Sequence, residues 1–293
     1  MKKKLSRKLI SIVISLLAIY GILVILARPA PDHPFFDHDG VLVMAHQGGD
    51  GLRPGDTMAA FENAVGLGVD VLEMDIHSTK DGEIVIMHDS AVDRTTNGTG
   101  PIQAFTLVEL KELDAGYRWT EDDGQSFPFR SQGIVVPTLR EVFTQFPDML
   151  MNIEIKQSEP SIAEPLCQMI RAHGMEEKVL IASFKAEAIK EFRRACPEIV
   201  TTTVENEVRF LYGLSVVYLG RIYPPPADAL QVPEYEGDIH VVKNRFVEAA
   251  HGRNMEVHVW TVNEISDMQR MLDVGVDGII TDYPDRLLGL LGR

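Results

Sequence analysis

The chain has 293 residues, 45% hydrophobic and 24% charged, an ordinary globular balance that allows a sizeable core and excludes a disordered or fibrous protein. Its formal charge is −15, and this becomes −20 once the five basic residues among the first eight (Lys2, Lys3, Lys4, Arg7 and Lys8) are set aside. So acidic a body repels nucleic acid and anionic lipid headgroups, which excludes both as electrostatic partners.

Behind that basic segment (residues 1–8), the 19 residues from Leu9 to Ala27 carry no charge. This is close to the roughly 20 needed to cross a bilayer as a helix. A signal peptide has a shorter apolar region, about 7–15 residues, and ends in a small-x-small site, whereas Arg28-Pro29-Ala30-Pro31 follows here. We read residues 9–27 as an uncleaved, single-pass anchor in the cell membrane. The positive-inside rule then places the N-terminus in the cytosol and the rest outside. Residues 28–40, with Pro29, Pro31 and Pro34, read as a short stiff linker, and residues 41–293 as one domain.

Within that domain, strand-like runs occur at Val41–Ala45, Val71–Ile76, Leu150–Ile155, Val179–Phe184, Ile199–Val204, Ala229–Val232, Glu256–Val262 and Gly278–Thr281. Helical patterns follow most of them: Thr57–Leu67, Ala163–His173, Ala186–Ala195, Glu207–Leu214, Val241–Arg253, Ile265–Val274 and Arg286–Leu291. Strict alternation means parallel pairing with right-handed crossovers, and eight units close into a (β/α)8 TIM barrel. The interval between the second and third strands is too long for one helix. It holds the strand-like Ile84–Met87, helical Leu107–Leu113 and Leu139–Phe146, and a polar loop with Phe127 and Phe129, and it reads as a small insertion over the barrel mouth. Those two aromatics are read as packing beneath the loop. Cys167 and Cys196, the two cysteines, lie on successive predicted helices; they read as buried free thiols, with pairing outside the cell as the alternative.

Chemistry concentrates at strand ends. Glu73 and Asp75 stand at i and i+2, so both face one side of a strand, and Glu154 with Lys156 repeats the spacing. Inward carboxylates are costly to bury unless neutralised. Three acids against one lysine leave an excess of negative charge, which one divalent cation with a preference for oxygen, Ca²⁺ or Mg²⁺, would offset. A buried salt-bridge network around Lys156 is the competing account. His46 closes the first strand and His88 lies just beyond the second, an arrangement that suits a general acid and base pair. His77, His173, His240, His251 and His258 read as structural or surface residues. Trp260, at the end of the seventh strand, fits equally a core aromatic and a wall of the pocket.

These motifs, with Pro54 to Thr57, Gly68-Val69-Asp70, Thr79-Lys80-Asp81-Gly82, Asp93-Arg94-Thr95-Thr96, Asn152-Ile153-Glu154-Ile155-Lys156, Trp260-Thr261-Val262-Asn263 and Asp277 to Pro284, resemble the glycerophosphodiester phosphodiesterase family from residue 41 onward. The resemblance implies Glu73, Asp75 and Glu154 as metal ligands, His46 and His88 as acid and base, Lys156 as a phosphate-orienting charge, and Gln231 as a pocket residue. It further implies attack by a hydroxyl, in some proposals the substrate's own glycerol 2-OH, to give a cyclic phosphate before water opens it. Two positions depart from the family pattern: Gln47 stands where Arg is usual, and Gly55-Asp56 where Glu-Asn is usual. We read this as an ion pair lost as a unit, with Arg53 supplying the missing charge to substrate. The expected activity is hydrolysis of glycerophosphodiesters to sn-glycerol 3-phosphate and an alcohol. A lysophospholipase D acting on lysolipids is the alternative, and a catalytically silent binding protein a more distant one.

Overall fold

A computed structural model describes the backbone of residues 2–293 and the side chains from Lys8 onward. The side chains of Lys2, Lys3, Lys4 and Arg7, on which the cytosolic basic segment rests, lie outside the described residues. Helix α1 (Lys2–Leu26) projects from the body, and its stretch Lys8–Leu26 is long and apolar enough to cross a membrane.

Seven strands form one parallel curled sheet: β1 (Leu42–Ala45), β2 (Val71–Ser78), β4 (Leu150–Ile155), β5 (Val179–Ala182), β6 (Ala229–Val232), β9 (Glu256–Val259) and β10 (Gly278–Thr281), in the order β5-β4-β2-β1-β10-β9-β6. Short β3 (Ile84–Ile86) adds antiparallel to β2, and β7 (Tyr235–Glu236) pairs with β8 (Ile239–His240) as a separate hairpin. The run Ile199–Val204, expected as a full strand, instead supplies two isolated parallel bridges, Ile181 with Thr201 and Thr202 with Ala229. Those bridges still close the ring between β5 and β6. Side chains have replaced part of the ladder: Asp228 Oδ2 accepts from Thr201 N at 3.0 Å, and Arg193 Nη2 donates to Thr202 O at 3.0 Å.

The two-residue period of a strand separates two cores. Leu42, Met44, Val71, Leu180, Ala229 and Ile280 point into the barrel, while their alternates Val43, Ala45, Leu72, Met74 and Ile181 face the surrounding helices. Those helices are α2 (Met58–Leu67), α4 (Leu139–Gln145), α5 (Ala163–Ala172), α6 (Ala186–Ala195), α7 (Glu205–Val216), α8 (Asn244–His251), α9 (Ile265–Val274) and α10 (Pro284–Leu291). The insertion, with the short helix α3 (Leu107–Leu110), has its own core around Val85, Val92, Ile102 and Leu110. Its polar loop folds onto the loop after β1. Trp119 Nε1 donates to Asp50 O at 2.7 Å, Phe129 meets Trp119 edge-on at 5.0 Å, and Arg130 lies 4.0 Å over Phe127, so both phenylalanines pack inside the loop as expected.

The Pro-rich segment before β1 does not stand off from the domain as a spacer. Phe35 is fully buried and plugs the amino-terminal end of the barrel against Leu42, Met44 and Val200. Beside this floor Glu256 accepts from His38 at 2.9 Å and pairs with His258 at 2.8 Å. Burial alone would raise its pKa, yet these two partners hold the carboxyl at about 2, below its ordinary 4.5. A carboxylate depressed in the fold contributes stability above its unfolded pKa and loses it as pH falls through the folded one. Urea unfolding is therefore expected to show stability declining as pH drops from about 4.5 to about 2, with a shallower decline in Glu256→Gln.

The cysteines correct the expectation of free thiols: Cys167 on α5 and Cys196 at the end of α6 form a disulfide, with Cα atoms 5.6 Å apart. Helix pairing brings them together across a separation of 29 residues, a distance that spacing along the chain does not report. The Cys167→Ala/Cys196→Ala variant is expected to lose about 2–4 kcal/mol in urea unfolding; an unchanged midpoint would show that the cross-link constrains nothing.

Candidate active site

The register of β2 against β4 sets Glu73 opposite Asn152 and Asp75 opposite Glu154, all on the inward face near the carboxyl ends of the strands. One carboxylate oxygen from each of Glu73, Asp75 and Glu154 lies within 4.8 Å of the others. Lys156 Nζ sits 2.8 Å from Glu154 Oε2 and 3.0 Å from Asp75 Oδ1. Against the cost of burial, these two acids hold the ammonium well above its ordinary pKa. Burial and the adjacent Asp75 charge push Glu73 up to about 8, and burial also raises Glu154. The lysine therefore does not neutralise the cluster.

Asp56 adds a further buried carboxylate, raised well above its ordinary pKa by burial and by Asp75 and Glu73. The site fits a hard cation on two counts. Its donors are all oxygens, and Asp75 Oδ1 is buried without a hydrogen-bond donor, the nearby Lys156 Nζ lying outside hydrogen-bonding geometry.

His46 opens a tight turn, His46–Gly48, directly after β1. Gly48 makes the turn possible: its φ is +78°, and a Cβ there would come within 2.8 Å of Phe61. His46 Nδ1 bonds Asp282 Oδ1 at 2.6 Å, and Asp282 Oδ2 accepts from Asn263 Nδ2 at 2.7 Å. Burial disfavours the imidazolium, but Glu73, Asp282 and Asp75 outweigh it and raise His46 to about 9. His88 also has a carboxylate on Nδ1, from Asp89 Oδ1 at 2.8 Å, with Arg94 Nε donating to Asp89 Oδ2 at 2.7 Å. In each imidazole the carboxylate occupies Nδ1, leaving Nε2 for a substrate.

A cavity of about 670 Å³ joins these groups. His46, His88, Glu73, Glu154, Lys156, Gln231 and Trp260 line it. Gln231 Nε2 donates to Asn152 Oδ1 at 3.0 Å, and Trp260 meets Phe184 edge-on at 5.3 Å. Trp260 thus belongs to a wall. Arg53 is not among the lining residues; its Nη1 donates to Leu52 O at 2.6 Å and its guanidinium lies 5.6 Å from the centre of the Phe129 ring. None of His77, His173, His240, His251 and His258 lines the cavity.

The two departures from the family pattern are neighbours in space. Gln47 N donates to Glu73 Oε2 at 2.7 Å and Gln47 Nε2 to Asp75 Oδ2 at 2.8 Å, while Asp56 N donates to Gln47 O at 2.9 Å. Beside Gly55, Asp50 fills the space a side chain would take, 2.7 Å from a Cβ built there. Sequence reasoning assigned no role to Asp282, Asp89, Asn152 or Phe184. The position of Asp282 immediately after the last strand was the one signal that pointed to the mouth.

Acids, a lysine and two carboxylate-backed imidazoles converging at the carboxyl ends of barrel strands define a hydrolase of charged esters. The chain belongs to the glycerophosphoryl diester phosphodiesterase family, whose sequence profile matches residues 46–286. It is 37% identical to a glycerophosphodiester phosphodiesterase from Caldanaerobacter subterraneus subsp. tengcongensis, over 86% of this chain and 98% of that one. A lysophospholipase D from Homo sapiens is 24% identical over 85% of each chain. In fold, the chain matches a phosphodiesterase from Oleispira antarctica solved in complex with the product sn-glycerol-3-phosphate, with a TM-score of 0.66 at 24% identity, over 87% of this chain and 98% of that one.

Proposed function

We propose that this enzyme hydrolyses glycerophosphodiesters to sn-glycerol 3-phosphate and an alcohol, with a divalent cation and from a membrane anchor. The observation that carries the reading is the buried Glu73, Asp75 and Glu154 triad, underneutralised by Lys156 and flanked by His46 and His88. Glu73, Asp75 and Glu154 would hold Ca²⁺ or Mg²⁺, which when bound supplies Lewis-acid polarisation of the phosphoryl oxygens and lowers the pKa of an attacking hydroxyl. Lys156 offers its ammonium to a phosphoryl oxygen. One imidazole takes the proton of the attacking hydroxyl through Nε2, and the other gives a proton to the departing alcohol. Asp282 and Asp89 fix the two rings so that this nitrogen faces the cavity.

The full chain in detergent, stripped with chelator and resupplied with Ca²⁺ or Mg²⁺, tests this by headgroup release from glycerophosphocholine and lysophosphatidylcholine in parallel. Turnover restored by the cation supports the reading; undiminished turnover in chelator overturns the metal dependence. Arg53 retains a proposed substrate role through the long-range charge of its loop. Arg53→Ala is then expected to raise KM about two- to tenfold with kcat kept, and an unchanged KM removes Arg53 from the site.

One observation favours lysolipids as a second substrate class. Away from the acids the cavity continues along apolar walls, among them Phe184, Val208, Tyr212, Val232, Ile239 and Trp260, where an acyl chain would lie. The helix Lys8–Leu26 supports anchoring, and the Cys167–Cys196 disulfide supports an oxidising compartment for the domain.

A further inference from the structure

The outer end of α1 is clamped to the barrel floor. Ala30 N donates to Arg253 O at 2.9 Å, Asn254 Nδ2 donates to Ala30 O at 3.0 Å, and the buried Arg253 guanidinium donates to Ala27 O. Arg253 and Asn254 lie just before β9, at the end of the barrel opposite the catalytic strand ends. Along α1 the residues Tyr20, Gly21 and Val24, with Ala27 directly past its end, are the less exposed ones, a single helical face, and the helix packs on the short turn Gly220–Ile222. At 1.5 Å per residue, the apolar stretch spans only about 28 Å, nearly all of it needed for a hydrocarbon core of about 30 Å. Whatever packs on its last two turns therefore stands at the depth of the outer leaflet.

The segment leading into that turn is apolar and uncovered: Val216 is 47% exposed, Val217 57% and Tyr218 74%. Two of its amide N–H groups are already paired, Tyr218 N to Ser215 O at 3.1 Å and Leu219 N to Leu214 O at 2.8 Å, and Arg245 Nη1 donates to Val216 O at 3.0 Å, which lowers the cost of burying this backbone in lipid. Tyr218 sits at φ +62°, where glycine fits best, and this conformation turns an amphipathic ring outward. Arg245 holds that ring, 4.1 Å from its centre, and donates to Tyr218 Oη at 2.6 Å. Arg245, which holds the Tyr218 ring, and Arg221, on the turn that α1 packs on, are exposed beside the patch, and Arg28 is exposed just past the end of α1, cations suited to lipid phosphates in an otherwise acidic body.

We propose that Val216–Leu219 is a second membrane contact, inserted in the outer leaflet of the bilayer that α1 crosses. This rests on the anchored reading above. The barrel floor then faces the bilayer and the catalytic cavity opens away from it, so substrate arrives from the aqueous side.

The test uses the full chain carrying Val217→Trp in phosphatidylcholine vesicles with ordinary or brominated acyl chains, with the two native tryptophans subtracted through the parent protein. Flotation with the vesicles and unchanged turnover of glycerophosphocholine confirm insertion and folding; Val216→Trp replaces the first variant if turnover is lost. The added tryptophan is expected to emit blue-shifted and to be quenched about twofold by brominated chains. A protein that floats but whose added tryptophan is solvent-like and unquenched overturns the second contact while keeping the anchor. A protein that does not float overturns both.

Discussion

Glu73→Gln is expected to lower turnover of glycerophosphocholine by about 1,000-fold, equivalent to roughly 4 kcal/mol of transition-state stabilisation. Its effect on stability has the opposite sign in chelator. Gln accepts the same hydrogen bond from Gln47 N but carries no charge, so it relieves repulsion among the carboxylates at Asp75, Asp56 and Glu154. Without cation the variant should melt at or above the temperature of the parent protein. With Ca²⁺ at 100 times its dissociation constant the parent should gain about 2.7 kcal/mol and the variant far less. Thermal unfolding with and without Ca²⁺ reads both effects. A variant that keeps the full Ca²⁺-induced stabilisation would place the cation elsewhere.

Asp282→Asn is expected to reduce kcat by about 10²–10⁴ while KM changes less than about twofold, the pattern of a residue that positions and charges a general acid or base without touching substrate. Asp282 accepts from both His46 and Asn263, and its own pKa is held below the ordinary carboxylate value by His46, against the opposing effect of burial. The amide would lose the charge that favours the imidazolium. The pH dependence of kcat should shift with it. Because both residues act as one unit, the His46→Gln/Asp282→Asn pair should be scarcely worse than His46→Gln alone. Additive losses in that cycle, or a wild-type kcat for Asp282→Asn, would separate Asp282 from the imidazole.

Much of this arrangement follows from local chemistry. A strand side chain alternates faces every residue, so Glu73 with Asp75, and Glu154 with Lys156, were bound to project together once their strands were recognised. The alternation of strands and helices implied the parallel barrel, and the barrel implied that the ends of β1, β2 and β4 meet. The boundaries of α6 and α9 were readable from the period of their apolar faces. The charge-free run behind a basic cluster marked α1.

Other features depend on pairings between residues far apart in the chain. His46 and Asp282 are 236 residues apart, and their contact exists because closure of the ring sets β1 beside β10. The same closure puts Phe35 under the floor and reduces Ile199–Val204 to two bridges, because Asp228 and Arg193 take over its backbone groups. Whether two cysteines meet depends on how α5 and α6 pack. By itself the sequence determined the barrel, the acids and imidazoles at its mouth, and the apolar helix, since each is written in a local period or a short spacing. Only the tertiary structure decided what backs each imidazole, where Arg53 turns, how the cysteines pair and which part of the barrel the apolar helix grips, since those are distances between segments, and a pattern along one segment carries no such distance.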